Sequence, residues 1–329
     1  MIKEISILNL VQTDLERVEA KMRSIAPDSY APLAEAFMQL LAGGGKRLRP
    51  ALALATYRLF HPNTSEKSVA LAAAIEMLHT ATLVHDDLID NALVRRGVTT
   101  LNAQWNKGAT VLAGDYLFAQ AAGFAAETEN VPVIQLFADT LRIIVEGELR
   151  QLFSSRQWQQ SRDAYYPRIF AKTASLFASA TKSGALLAGA TDEQVQELYA
   201  YGKDVGMAFQ IVDDILDYSG EEATLGKPVG GDLRQGIVTL PFYYFLQNHA
   251  DPESVLHALD ARNDTEQDGV ADIVGDIVAQ VRQSPAMTQA SNEAAAFATA
   301  AKMRLGNFEP GPYRSALEEL ADFVVARHV

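Results

Sequence analysis

From Ser68 to Asp90 the chain reads SVALAAAIEMLHTATLVHDDLID, rich in alanine and leucine and free of glycine and proline. A run of that length and composition predicts one long helix. Its last residues break the apolar pattern, because Asp86, Asp87 and Asp90 stand at i, i+1 and i+4. On a helix Asp86 and Asp90 lie on one face a turn apart, with Asp87 beside them. Like charges at that spacing repel, and aspartate is a weak helix former. The arrangement calls for a cation.

The same helical periodicity runs through ADTLRIIVEGELRQLF, AYYPRIFAKTASLFASATKSGALLAG and DEQVQELYAYGKDVGMAFQIVDDILDY, with Pro167 near the start of the second. No run of alternating β-branched residues is bounded by hairpin turns, so a sheet is not expected. The punctuating stretches GGGKRLRP, HPNTSE, SGEEATLGKPVGGD and NDTEQDG are too short to be domain linkers. The expectation is an all-α chain forming a single large helical domain over residues 1–329.

A net charge of −13 argues against a general nucleic-acid binder, which needs surplus lysine and arginine. The chain has no cysteine, which excludes disulfides, thiolate nucleophiles and cysteine-ligated metals. The N-terminal stretch MIKEISILNLVQTDLERVEAKM mixes acids and bases and does not read as a signal peptide. No segment offers 18 uncharged apolar residues in a row, so no transmembrane helix is expected. A cytoplasmic protein is the expectation.

The aspartate pattern recurs. QIVDDILDYSG places Asp213, Asp214 and Asp217 at the same i, i+1, i+4 spacing. A single acidic cluster can be a solvated helix face. Two copies inside apolar helices point instead to hard cations, and Mg²⁺ takes oxygen ligands while keeping waters or substrate phosphates. Two such banks facing each other would hold Mg²⁺ with a polyphosphate between them. The basic residues suit that ligand: GGGKRLRP carries Lys46, Arg47 and Arg49 behind three glycines, and Arg95 and Arg96 follow the first aspartates. Arginines fork onto phosphate oxygens, and Lys46 is a point charge. The loop is not a Walker A motif, since Leu40 and Arg47 stand where glycine and Ser/Thr belong.

The order of these parts resembles trans-prenyl diphosphate synthases, the head-to-tail chain-elongating isoprenoid enzymes. The resemblance runs from Gly43 to Pro241 through GGGKRLRP, LHTATLVHDDLIDNALVRRG, GELRQL, AKTASLF, FQIVDDILD and GKPVGGDLRQGIVTLP. It implies the isoprenoid synthase type of helical domain with a central cavity, and a homodimer. It implies that Asp86, Asp87, Asp90, Asp213, Asp214 and Asp217 hold about three Mg²⁺ ions with the allylic diphosphate. Departing diphosphate leaves an allylic carbocation, which isopentenyl diphosphate attacks. Lys46, Arg49, His79 and Arg96 match the isopentenyl-diphosphate site, while Arg95, Lys172 and Lys227 match positions holding the allylic diphosphate. Thr173 and Gln210 would offer oxygen dipoles near the cation. One position departs from the pattern: Ile237 follows Gly236 where the family often has lysine.

Product length depends on the cavity below the first aspartates. Ala81 and Thr82 are small where short-product members carry a bulky aromatic, and Leu78 comes next. Ala119, Ala122, Phe118 and Phe124 lie on the facing segment. The resemblance therefore implies a product longer than farnesyl, of about C30–C50. Geranylgeranyl or farnesyl diphosphate synthesis, a class I terpene cyclase, a His-Asp phosphohydrolase and a non-catalytic subunit of a heteromeric synthase are the rivals. DDILD is unlike the second cyclase motif, the six histidines are too scattered for the hydrolase, and non-catalytic subunits usually lose the aspartates.

Overall fold

Ser65 starts the long apolar run. Its hydroxyl accepts the Ser68 N–H at 3.2 Å, and the Ser68 hydroxyl accepts the Ser65 N–H at 2.9 Å. This reciprocal cap satisfies two N–H groups that a helix start leaves open. The helix that follows, α5, spans Glu66–Ile89. The structure, a computed structural model, describes residues 6–25, 30–95, 97–219, 229–261 and 273–327. These gather into two compact units, the first drawn from Met1–Arg142, Leu176–Gly202 and Lys302–Leu320, the second from Ile143–Ser175, Lys203–Ala301 and Ala321–Val329.

In the first unit α1 (Ser6–Leu10), α2 (Gln12–Arg23), α3 (Ala31–Ala42) and α4 (Leu48–Arg58) precede α5. After α5 come α6 (Leu101–Gln104) and α7 (Lys107–Ala126), whose starts are capped by the Thr100 and Asn106 side chains. Helix α5 packs most extensively against α7 and also touches α2 and α4. Every residue from Ser68 to Leu78 is buried, so this stretch of α5 is a core segment without a polar face, and accessible polar side chains begin at its C-terminal end. By length and composition it could cross a membrane, but 78% of its most apolar 18-residue window is buried inside the protein.

A two-residue antiparallel ladder joins β1 (Val94–Arg95) to β2 (Val98–Thr99), pairing Val94 with Thr99 and Arg95 with Val98. No sheet was expected from the sequence. The ladder is too short to leave an alternating pattern, and it turns at Gly97, whose φ of 77° suits glycine.

The second unit takes residues from α8 (Val131–Ser154), α9 (Arg162–Ile169), α10 (Ser175–Leu187) and α11 (Asp192–Ser219). The stretch read as one helix around Pro167 is α9, a π-helical turn over Phe170–Ala174, and α10. Gly147 of α8 lies against the insertion. A Cβ on Gly147 would stand 2.4 Å from the Ala171 Cβ, so α8 meets the π turn at backbone distance. The helices α12 (Gly231–Arg234), α13 (Leu240–Asn248), α14 (Pro252–Ala261), α15 (Ile273–Gln283), α16 (Ala286–Arg304) and α17 (Pro312–Ala326) follow. Trp158, Tyr218, Phe242, Leu259 and Val278 anchor one apolar cluster of this unit, and Tyr165, Met207, Ile211 and Leu240 another.

Candidate active site

Both aspartate clusters lie at the C-terminal end of a long helix, α5 or α11, and neither helix has a basic residue in its last turn. Exposed carbonyls already make a helix C-terminus partly negative, so three carboxylates there raise the demand for a cation.

On α5 the three carboxylates differ in exposure. Asp87 is buried, Asp86 half-buried and Asp90 exposed. Arg95 reaches back from β1 to place its Nε 2.6 Å from Asp87 Oδ1. Burial still pushes the Asp87 carboxyl above its usual range, against the opposing pull of Arg95 and with a smaller push from Asp90. The hairpin thus makes Arg95 a partner of the first cluster. Arg96 lies outside the described residues.

The cationic stretch 46–49, which runs from the loop into the first turn of α4, divides its three side chains. Lys46 is exposed. Arg49 is half-buried, with Nη1 3.1 Å from His79 Nε2 and its guanidinium 4.7 Å from the Phe177 ring centroid. Arg47, grouped with the phosphate-binding cations from sequence, instead turns inward. Its Nη1 lies 2.6 Å from Glu76 Oε1, its Nε 3.3 Å from Glu19 Oε1, and its Nη2 donates to the Leu41 carbonyl at 3.2 Å. Its backbone is left-handed, with φ of 49°, a conformation costing a non-glycine residue roughly 1–2 kcal/mol. Glu76 is buried on α5, one turn before His79.

The chain-length positions also separate. Thr82 is half-buried and keeps accessible surface, whereas Ala81 is fully enclosed at 0% and Leu78 at 1%. Ala119 and Ala122 of α7 are exposed, Phe124 is buried, and Phe118 meets the His85 ring edge-on.

The second unit brings a different set together. Thr173, in the π turn, donates its hydroxyl to Gln210 Oε1 at 2.5 Å. Gln210 Nε2 donates to Asp214 Oδ1 at 2.8 Å, and the Tyr165 hydroxyl donates to Asp214 Oδ2 at 2.7 Å. Asp214 is fully enclosed, and burial, reinforced by the negative charge of Asp232, raises its pKa far above the usual carboxylate range. Asp217 is also buried and accepts the backbone N–H groups of Gly231 and Asp232 at 3.2 and 3.0 Å. Asp213 keeps surface and pairs with Arg327, whose Nη2 lies 3.0 Å from Oδ1 and whose guanidinium covers the Phe209 ring at 4.0 Å. Lys172 is exposed, 3.8 Å from Glu148 of the GELRQL segment. Lys227 lies outside the described residues. Ile237 is nearly buried, and beside it the Arg156 N–H donates to the Gly236 carbonyl at 2.8 Å.

Tyr165, Asp232, Arg327 and Glu76 were not singled out from sequence. None carries a local signal, because each meets its partner across a long sequence separation. Among the described residues no three Asp, Glu or His side chains converge on one point to form a cage. The candidate donors are nevertheless all carboxylate oxygens. Mg²⁺ bound through one or two carboxylates, with substrate phosphates and water filling its remaining positions, fits such a set.

The polyprenyl synthetase family model matches residues 31–277. Component 2 of the heptaprenyl diphosphate synthase of Geobacillus stearothermophilus is 42% identical over 74% of this chain and 76% of its own. The nonaprenyl diphosphate synthase of Mycobacterium tuberculosis is 36% identical over 97% of this chain and 93% of its own. A crystal structure of a Caulobacter crescentus polyprenyl synthase, complexed with calcium and isoprenyl diphosphate, superposes with a TM-score of 0.89 at 36% identity, covering 98% of each chain. The chain belongs to the polyprenyl synthetase family.

Proposed function

We propose that this chain is a Mg²⁺-dependent prenyltransferase that joins isopentenyl diphosphate head to tail to an allylic diphosphate, giving an all-trans product of about C30–C50. The carrying observation is the pair of equally spaced aspartate clusters at the C-terminal ends of two long helices. The heptaprenyl and nonaprenyl names of its relatives support a product in that range.

Asp86 and Asp90 present carboxylates with accessible surface, and Arg95 steadies Asp87 behind them. In the second cluster Asp213 carries the accessible carboxylate, while Tyr165, Gln210 and two backbone N–H groups fix Asp214 and Asp217. Mg²⁺ bound at these aspartates supplies positive charge against the leaving diphosphate. Lys46, Arg49 and His79 bind the isopentenyl diphosphate, and Lys172 and Arg95 the allylic one. The allylic C–O bond breaks, the isopentenyl double bond forms the new C–C bond, and a proton leaves to the released diphosphate. The Thr173 hydroxyl donates a hydrogen bond to Gln210 Oε1, which leaves the lone pairs of the Thr173 oxygen available to the allylic cation.

The protein acts as a single prenyl synthase domain and pairs with a second copy. Val145, Leu149, Leu152 and Phe153 support pairing, because they form an exposed apolar stripe at helical spacing along α8. A heteromeric assembly is the second reading, favoured by the Geobacillus relative named as one component of a synthase. Light scattering of the purified chain separates the two, since a lone monomer opposes the homodimer.

The deciding assay supplies Mg²⁺, labelled isopentenyl diphosphate and farnesyl diphosphate, and resolves the dephosphorylated products by length. A ladder ending above C20 supports the whole reading, and a stop at or below C20 removes its length component. No incorporation with any allylic starter overturns a self-sufficient enzyme. Thr82→Phe then shortens the product, whereas Ala81→Phe first overpacks an enclosed site at a cost of about 1–3 kcal/mol.

A further inference from the structure

Arg47, in the loop before α4, turns its guanidinium inward. Three groups hold it: the buried Glu76 carboxylate on α5, Glu19 on α2 and the Leu41 carbonyl at the end of α3. The backbone at Arg47 is left-handed, as is Gly44 earlier in the loop. A non-glycine residue keeps that conformation only where its surroundings over-determine it. Here the over-determination comes from the side chain, through a charge-assisted bond of 2.6 Å to a carboxylate that is 4% exposed.

Glu76 also stands one helical turn before His79, the residue that Arg49 meets at 3.1 Å. The loop is therefore tied to α5 by Arg47 to Glu76, and the first turn of α4 that follows it is tied one turn further along α5 by Arg49 to His79. We infer that Glu76 is a positioning residue for diphosphate binding: by fixing Arg47, the N-cap of α4, it sets the loop conformation that presents Lys46 and the start of the helix that carries Arg49 to the isopentenyl diphosphate. It acts through Arg47 and touches no substrate. This rests on the functional reading above, because the ligand of Lys46 and Arg49 is assigned there.

A purely stabilising ion pair and a positioning one respond differently to replacement. Buried ion pairs can often be exchanged for apolar side chains without loss of stability. The doubly substituted Arg47→Met, Glu76→Leu protein keeps a packed interior but loses the directional bond, and Glu76→Gln keeps a hydrogen-bond acceptor without the charge. We expect both to raise KM for isopentenyl diphosphate by about tenfold or more, with kcat and the KM of the allylic substrate changed by less than about threefold. Glu76→Asp should recover part of the KM. Hydrogen exchange at Gly44–Arg49 should quicken in both variants while the amides of α7 keep their protection.

An active wild type whose folded variants retain its KM for isopentenyl diphosphate overturns this inference and leaves the functional reading standing. So does a uniform fall in kcat with no preference between substrates. A wild type that incorporates no isopentenyl diphosphate with any starter overturns the functional reading, and with it the diphosphate role of the loop. The hydrogen-exchange result then reports whether the Arg47–Glu76 bond restrains the backbone at all.

Discussion

The clusters on α5 and α11 share one spacing and differ in nearly everything around it. On α5 one carboxylate of three is buried, and its cation comes from Arg95, eight residues on in the adjoining hairpin. On α11 two of three are buried, and their donors are a tyrosine 49 residues away, a glutamine one turn back and two backbone N–H groups 14 and 15 residues on. The first cluster is an accessible face with one buried member. The second is an anchored scaffold with one accessible member. Spacing fixes where the charges sit on each helix, and the partners decide which of them remain available to a ligand.

The sharpest way to break the comparison is to remove the accessible member from each cluster. Asp86→Asn and Asp213→Asn preserve shape and delete one negative charge each. We expect kcat to fall by about 10³-fold in both, with the helical circular dichroism unchanged, because charge stabilisation of the leaving group is lost. Wild-type rates in either variant would remove that cluster from the metal site.

The anchored members should declare themselves in stability instead. Asp217→Ala takes the acceptor from two backbone N–H groups at Gly231 and Asp232, both half-buried, and should cost about 2 kcal/mol in urea unfolding. Asp90→Ala should lie within about 0.5 kcal/mol of the parent, and on the stabilising side, because it removes a negative charge from the C-cap of α5. Equal costs at the two positions would show that the contrast between face and scaffold has no energetic content.

That contrast was only half legible in the sequence. Both clusters stood out because charge is anomalous inside an apolar helical run, and the helices themselves followed from Ala/Leu-rich periodicity unbroken by glycine or proline. What surrounds the clusters was not legible. Tyr165, Asp232 and Arg327 look like ordinary helix or loop residues until the chain folds. The same limit applies to Arg47, whose neighbours Lys46 and Arg49 suggested phosphate while a carboxylate 29 residues on claimed it. The π turn at Phe170–Ala174 accompanies the close approach of Gly147, a tertiary fact with no local pattern. Ala81 and Thr82 are adjacent and both small, yet one is enclosed and the other accessible. Rotational phase about a helix axis depends on what packs against it, and alanine leaves almost no hydrophobic pattern from which to read that phase.

The smallest expected effect on activity concerns Arg327, which pairs with the accessible carboxylate of the scaffold. Its guanidinium pairs with Asp213 at 3.0 Å, donates to the Phe209 carbonyl at 3.2 Å and covers the Phe209 ring. Asp213 is 40% exposed in its side chain, so solvent screens the ion pair. Together with the ring contact, Arg327→Ala should cost about 1 kcal/mol. Its effect on cation affinity should be easier to read. Without Arg327, Asp213 has one fewer positive competitor, and the Mg²⁺ concentration for half-maximal activity should fall by about two- to fivefold. The Mg²⁺-induced rise in unfolding temperature should appear at correspondingly lower concentration, by mass action on the folded state. A higher Mg²⁺ requirement in the variant would give Arg327 the opposite role, that of orienting Asp213 for the cation rather than competing with it. The scaffold would then be anchored at all three of its carboxylates, and the asymmetry with α5 would be greater still.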